Sequence, residues 1–119
     1  MVGRAIMSTK RMDKALASAA VLFAALGDDT RLALLRRLSA DGPASITVLS
    51  ETFDVTRQGV TKHLAVLAAA GVIEGHREGR QHVWTLRPAR LAEAQKYLAL
   101  IARGWDDALA RLKAHIEEG

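Results

Sequence analysis

The residues with most to offer chemically run from 56 to 67, Thr-Arg-Gln-Gly-Val-Thr-Lys-His-Leu-Ala-Val-Leu. If Val60, Leu64 and Leu67 face a core at helical spacing, the opposite side shows Arg57, Gln58, Thr61 and Lys62. An arginine in the first turn of such a helix can hold guanine O6 and N7 with two bonds, and a glutamine can do the same for adenine N6 and N7. Thr56 and Lys62 suit phosphates, which position a protein without reading sequence, and the helix N-terminus adds partial positive charge there. Gly59 has two readings: close approach to a neighbouring surface, or a tolerated loss in a short helix. Further on, Arg77 and Arg80 flank an expected hairpin tip, within reach of a minor groove or its phosphates; the plain alternative is solubilising charge.

Catalysis has much less to draw on. The chain has no cysteine, which excludes disulfides, thiolate zinc sites and thiol nucleophiles. Asp28-Asp29 and Asp106-Asp107 are adjacent pairs, and neighbouring helical positions do not face each other, so they read as capping and surface charges. With no nucleophile–base–acid set and no glycine loop to cradle phosphate, an enzyme is not expected. Around a Glu78-Gly79 turn His76 faces Gln81 and His82 faces Gly75, a poor geometry for sharing one ion.

The charge distribution favours the first reading. Lys and Arg number 17 against 13 Asp and Glu, a net charge of +4. Residues 57–90 hold Arg57, Lys62, Arg77, Arg80, Arg87 and Arg90 against only Glu74 and Glu78, so the whole surplus lies in that window.

The elements that position these residues follow from periodicity and caps. At 119 residues, 50% apolar and 25% charged, the chain fits one ordinary globular domain. Its 22 alanines and 16 leucines favour helix. Residues 1–12 lack periodicity and read as a flexible tail before a domain at 13–119. Leu16, Ala20, Phe23 and Ala24 mark a first helix ending near Gly27. Asp28 caps a second, with Leu32, Leu35 and Leu38 inward, closed by Asp41-Gly42-Pro43. Thr47 reads as the cap of a short third helix burying Val48, Leu49 and Phe53. Thr56 caps the fourth, which spans 56–70 and stops at Gly71. Two helices joined by so short a turn form a helix-turn-helix.

After Gly71 the period shortens. Val72-Ile73 and Val83-Trp84-Thr85-Leu86 read as two strands of a hairpin over 72–86, a wing. From Pro88 a last helix carries Leu91, Ala94, Leu98, Ile101, Trp105, Ala108 and Leu112 at spacings alternating three and four, the seam of a helix lying along another long helix. Gly104 is a candidate bend within it. The expectation is a mainly α winged helix-turn-helix of about five helices and one two-stranded hairpin. No apolar run approaches the ~20 residues of a membrane span. The first residues lack the apolar core of a secretion signal, so a cytoplasmic protein is expected.

Leu22-Phe23-Ala24-Ala25-Leu26-Gly27-Asp28-Asp29-Thr30-Arg31-Leu32 resembles the opening F-K-A-L-A-D-P-T-R-R of the ArsR/SmtB family of winged-helix repressors. Val60-Thr61-Lys62-His63-Leu64-Ala65-Val66-Leu67 with Gly71-Val72-Ile73 is similar to the family's V-S-K-H-L-x-x-L…G-L-V, and Arg77-Glu78-Gly79-Arg80 matches its wing. The resemblance covers about residues 16–117. It implies a homodimer joined through first and last helices, here Leu16, Leu91, Leu98, Ile101, Trp105 and Leu112. Such a dimer binds a palindromic operator on double-stranded DNA, often its own promoter, and releases it to an effector. His63 falls where the family has a histidine for packing or for DNA contact.

The effector side departs from the family. Ser45 and Thr47 stand where arsenic-type sensors carry C-V-C. His115-Ile116-Glu117-Glu118 imitates only half of the zinc pattern D-x-H…H-x-x-E, since the first half falls near Ala102 and Gly104. Such a half-site has too few ligands for a closed zinc centre. No metal or cofactor is expected, and an unknown small-molecule effector stays open. Trp84, Tyr97 and Trp105 either line a cleft for it or are plain core. A protein-interaction module using wing and long helix is the alternative function.

Overall fold

Cap chemistry sets most helix boundaries. A computed structural model describes the backbone of residues 2–118 and the side chains of residues 13–118. In chain order the elements are α1 (Val2–Leu26), α2 (Asp29–Asp41), β1 (Ala44–Ser45), α3 (Ile46–Thr52), α4 (Arg57–Ala69), β2 (Ile73–Glu78), β3 (Gln81–Leu86) and α5 (Pro88–Glu118). Helix α1 begins at Val2 rather than at Asp13, where the apolar period starts. Residues 2–12 hold no proline, so nothing in their sequence stops a helix there. The side chains of residues 1–12 lie outside the described residues, and with them the expected division into tail and domain.

Asp28 caps α2 in extended backbone, its carboxylate accepting from the Arg31 backbone N–H at 2.9 Å. That hydrogen bond holds the Asp28 carboxyl below its ordinary value. The stability it contributes is therefore complete above the usual aspartate range and is lost as pH falls through the lowered value. Asp28→Asn still caps but does not titrate, and the expected result is a flatter acid limb in urea midpoint against pH. An acid limb identical to that of the wild type would remove this assignment.

Helix α3 corrects the sequence reading. Its cap is Ser45, whose hydroxyl accepts from Val48 N–H at 3.3 Å, and Thr47 already lies inside the helix. Ser45 is chosen because it also ends β1, a two-residue strand that pairs antiparallel with β3 through Ala44↔Trp84 and Ser45↔Val83. The wing is thus the outer part of a three-stranded sheet, ordered β1-β3-β2, instead of an isolated hairpin. A strand of two residues has no period to read.

The core gathers Leu22, Leu34, Leu35, Leu38, Leu49, Val60, Leu64, Leu67, Val72 and Ile73, each buried. Full burial of one such side chain contributes about 1.5–3 kcal/mol. Two helices turn differently from expectation. Leu32 is exposed and Leu34 takes its place inside, while α1 buries Ala19, Leu22 and Ala25 and leaves Leu16 outside. In α3 only Leu49 is fully enclosed; Val48 is exposed.

Candidate nucleic-acid interface

Helix α4 is fixed at both ends by its own sequence. The Thr56 hydroxyl accepts from Gly59 N–H at 3.0 Å. At the other end Gly71 adopts φ +82°. Val72 N–H then reaches back to the Leu67 carbonyl, and Gly71 N–H to that of Ala68. This pair of bonds closes a helix on a left-handed glycine. Val60, Leu64 and Leu67 are fully buried, which turns Arg57, Gln58, Thr61 and Lys62 outward, all exposed. Four polar side chains thus share one outer face near the positive end of the helix.

Three positions behave less simply. A Cβ on Gly59 would come within 2.7 Å of Val55 Cγ1 and 3.2 Å of Thr56 Oγ1. Glycine therefore fits the tight turn into α4, a reason internal to the fold. Thr61 spends its hydroxyl proton on the Arg57 carbonyl at 2.8 Å, leaving its oxygen free to accept. His63 is half-buried and points towards α2: its Nδ1 lies 3.4 Å from Arg31 Nη1 and 3.7 Å from Asp28 Oδ2. His63 thus stands apart from the exposed group of Arg57, Gln58, Thr61 and Lys62, against the start of α2.

The wing register differs by one residue from the expected one. Glu78 pairs with Gln81, Arg77 with His82, His76 with Val83 and Gly75 with Trp84. The two-residue turn is therefore Gly79-Arg80, with Gly79 at φ +62° and no non-glycine residue at positive φ. Glycine first and an ordinary residue second is the II′ pattern, whereas Glu78-Gly79 in a I′ turn would force glutamate into positive φ. Arg80 consequently sits in the tip itself and Arg77 on the strand behind it, both exposed. His82 stacks on Trp84, ring centroids 4.6 Å apart at 15°. Gly75 makes room for this, because a Cβ there would meet His82 Nε2 at 2.2 Å. His76 instead contacts Glu78 at 3.2 Å. With His76 opposite Val83 and His82 opposite Arg77, the two rings lie on opposite faces of the sheet.

Helix α5 runs through Gly104 without interruption. Leu91 packs on the core and Ala94 is buried, but Leu98, Ile101, Trp105 and Leu112 are 54, 55, 65 and 55% exposed. An apolar stripe of this size on one chain lacks a cover. Between α1 and α5 lies a cleft of about 240 Å³ lined by Ala15, Leu22, Arg90, Tyr97 and Leu100 among others. Of the three candidate aromatics only Tyr97 reaches it; Trp84 packs at the core edge and Trp105 faces outward. Among the described residues no three of His, Asp and Glu gather into a group that could hold a metal ion. No described helix is long and apolar enough to cross a membrane.

The sequence reading missed Arg31 and Arg90, whose partners lie on other elements. Arg31 Nε donates to the Ala25 carbonyl and Nη2 to that of Ala24 at 3.3 Å, bracing α2 on the end of α1. Nothing in local spacing announces such bonds.

Comparison with known proteins agrees with this geometry. Residues 26–76 match a family model described as a helix-turn-helix domain. The HTH-type transcriptional regulator Rv2034 of Mycobacterium tuberculosis is 38% identical over 68 residues, 57% of this chain and 63% of that protein. The match thus spans less than two thirds of that relative. YuzN of Bacillus subtilis, an uncharacterized HTH-type transcriptional regulator, is 35% identical over 52% of this chain and 74% of its own length. Among solved structures, an ArsR-like transcriptional regulator from Rhodococcus sp. RHA1 superimposes with a TM-score of 0.74 at 35% identity, covering 82% of this chain and 92% of that one.

Proposed function

The chain belongs to the ArsR/SmtB-like superfamily of winged helix-turn-helix regulators, and from that premise we propose that it is a homodimeric repressor of a palindromic operator, its own promoter included. The observation that carries the reading is the outer face of α4, where Arg57, Gln58, Thr61 and Lys62 stand exposed above a fully buried Val60-Leu64-Leu67 stripe. Arg57 and Gln58, in the first turn, read base edges in the major groove. Thr56, Lys62 and the wing arginines Arg77 and Arg80 hold phosphates on either side. The bare stripe of α5, with Leu16 of α1, joins two copies so that their α4 tips lie about one duplex turn apart.

Fluorescence anisotropy against the DNA upstream of the gene tests this. Binding must be sequence-selective and weaken with salt, because phosphate contacts release counterions; salt-insensitive or unselective binding overturns the reading. Arg57→Ala or Gln58→Ala is expected to relax base preference by ~1–3 kcal/mol per lost two-bond contact. Lys62→Ala or Arg80→Ala is expected to weaken all sequences alike and to flatten the log–log salt slope by about one.

A small-molecule effector is the second reading, favoured by the cleft beside Tyr97. A shift in melting temperature on adding a ligand, lost in Tyr97→Ala, is its signature.

A further inference from the structure

One side chain joins the reading helix to both long helices. Arg90, in the first turn of α5, has a side chain only 18% exposed. Its Nε donates to the Ala70 carbonyl at 2.8 Å, at the C-terminal end of α4. Its Nη1 donates to Ser18 Oγ at 2.9 Å and its Nη2 to the Ser18 carbonyl at 3.0 Å, both on α1. Glu93, one turn along α5, holds Nη1 from the other side.

The acceptor on α4 is well chosen. The last carbonyls of a helix have no partner within it and carry its partial negative charge. Those of Val66, Leu67 and Ala68 are answered by the backbone N–H groups of Ala70, Val72 and Gly71. That of Ala70 is answered by Arg90. A guanidinium can serve three elements at once because its five donors lie in one rigid plane; an ammonium has no such fork.

A second tie lies halfway along the same helix. His63 meets Arg31, which in turn holds the Ala24 and Ala25 carbonyls of α1. Val60, Leu64 and Leu67 seat α4 on the core, and the two polar ties, at His63 and at Ala70, add fixed points half a helix apart. We propose that Arg90 is a positioning residue that sets the angle of α4 against α1 and α5, and through it the half-site spacing that the dimer accepts. This rests on the reading of a dimer on a palindrome. One inserted base pair moves the half-sites about 3.4 Å apart and turns one against the other by about a tenth of a turn, so the tolerated spacing reports the angle directly.

The experiment selects a palindromic duplex from a random pool with the wild-type dimer, then measures anisotropy on that duplex and on versions with one or two base pairs added to or removed from the spacer. Arg90→Ala, Arg90→Lys and Ser18→Ala are compared with the wild type, with dimer mass and circular dichroism as controls. The expected result for Arg90→Ala and Arg90→Lys is a preference for the selected spacer over its neighbours that falls roughly tenfold. Ser18→Ala keeps the carbonyl acceptor and falls less. Base preference within each half-site stays as in the wild type.

A general loss of structure would weaken every duplex in proportion and leave the spacer profile unchanged in shape. Should Arg90→Ala fail to fold, Arg90→Lys and Ser18→Ala decide the matter. A wild-type spacer preference that these variants keep in full overturns this inference alone. A wild-type chain that selects no palindrome overturns the function reading and this one with it.

Discussion

Glutamate in place of Ile101 is expected to leave the protein folded and monomeric. Ile101 is 55% exposed on the single chain and lies mid-stripe between Leu98 and Trp105. Placing a carboxylate there costs the monomer little, because water still reaches it. In a dimer packed along this stripe each copy would bury an unpaired charge, a penalty of about 3–5 kcal/mol for an uncompensated ion. With two such charges per dimer, the dissociation constant should therefore rise by about ten-thousandfold or more. Analytical ultracentrifugation reads the mass, and affinity for a palindromic operator should fall with it. Ala110→Glu is the control, since nine residues along a helix of 3.6 per turn is half a turn round and the same charge then faces water. If Ile101→Glu stays dimeric while Ala110→Glu does not, the interface lies on the other side of α5.

Leu64→Ala should produce the largest loss of stability among single changes in α4. Leu64 is completely enclosed and belongs to the cluster that joins Leu22 of α1, Leu49 of α3 and Val72 after α4. Truncation removes the transfer energy of the lost carbons and leaves a hole that its neighbours fill only partly, for about 2–5 kcal/mol. A domain of this size has roughly 5–15 kcal/mol in all, so the urea midpoint should move by a large fraction with little change in slope. Arg57→Ala should do the reverse, altering base preference while leaving the midpoint in place. A Leu64→Ala loss below ~1 kcal/mol would mean that α4 is held mainly by polar ties and not by its apolar stripe.

The features legible in the sequence are those written in neighbouring residues. The caps Asp28 and Thr56, the Val60-Leu64-Leu67 stripe and the left-handed stop at Gly71 depend on contacts a few positions apart, and each can be read from residue type and spacing. Where the sequence was misread, the deciding partner is distant. Ser45 instead of Thr47 caps α3 because β3, nearly forty residues on, fixes Ser45 in extended backbone. Leu32 and Leu34 flank the Leu35-Leu38 line on opposite sides, and only the packing of the neighbouring helices chooses which flank is buried.

The turn is an instructive miss. Both Glu78-Gly79 and Gly79-Arg80 place glycine in the bend, and the choice depends on which turn position tolerates a side chain. The outward group on α4 was predictable as a set, but Gly59 and His63 within it were not separable. Their roles rest on Val55 and on the Asp28-Arg31 pair, neither of which a helical wheel displays.

Up to Tyr97 the last helix shares its inner side with the body; from Leu98 to Glu118 every residue except Ala108 is exposed, Leu100 at the edge of the cleft against α1. One continuous rod thus has a rooted half and a free half. If two copies join along the free half, changes there alter which chains pair while the buried core of each stays as it is, so choice of mate is separable from folding.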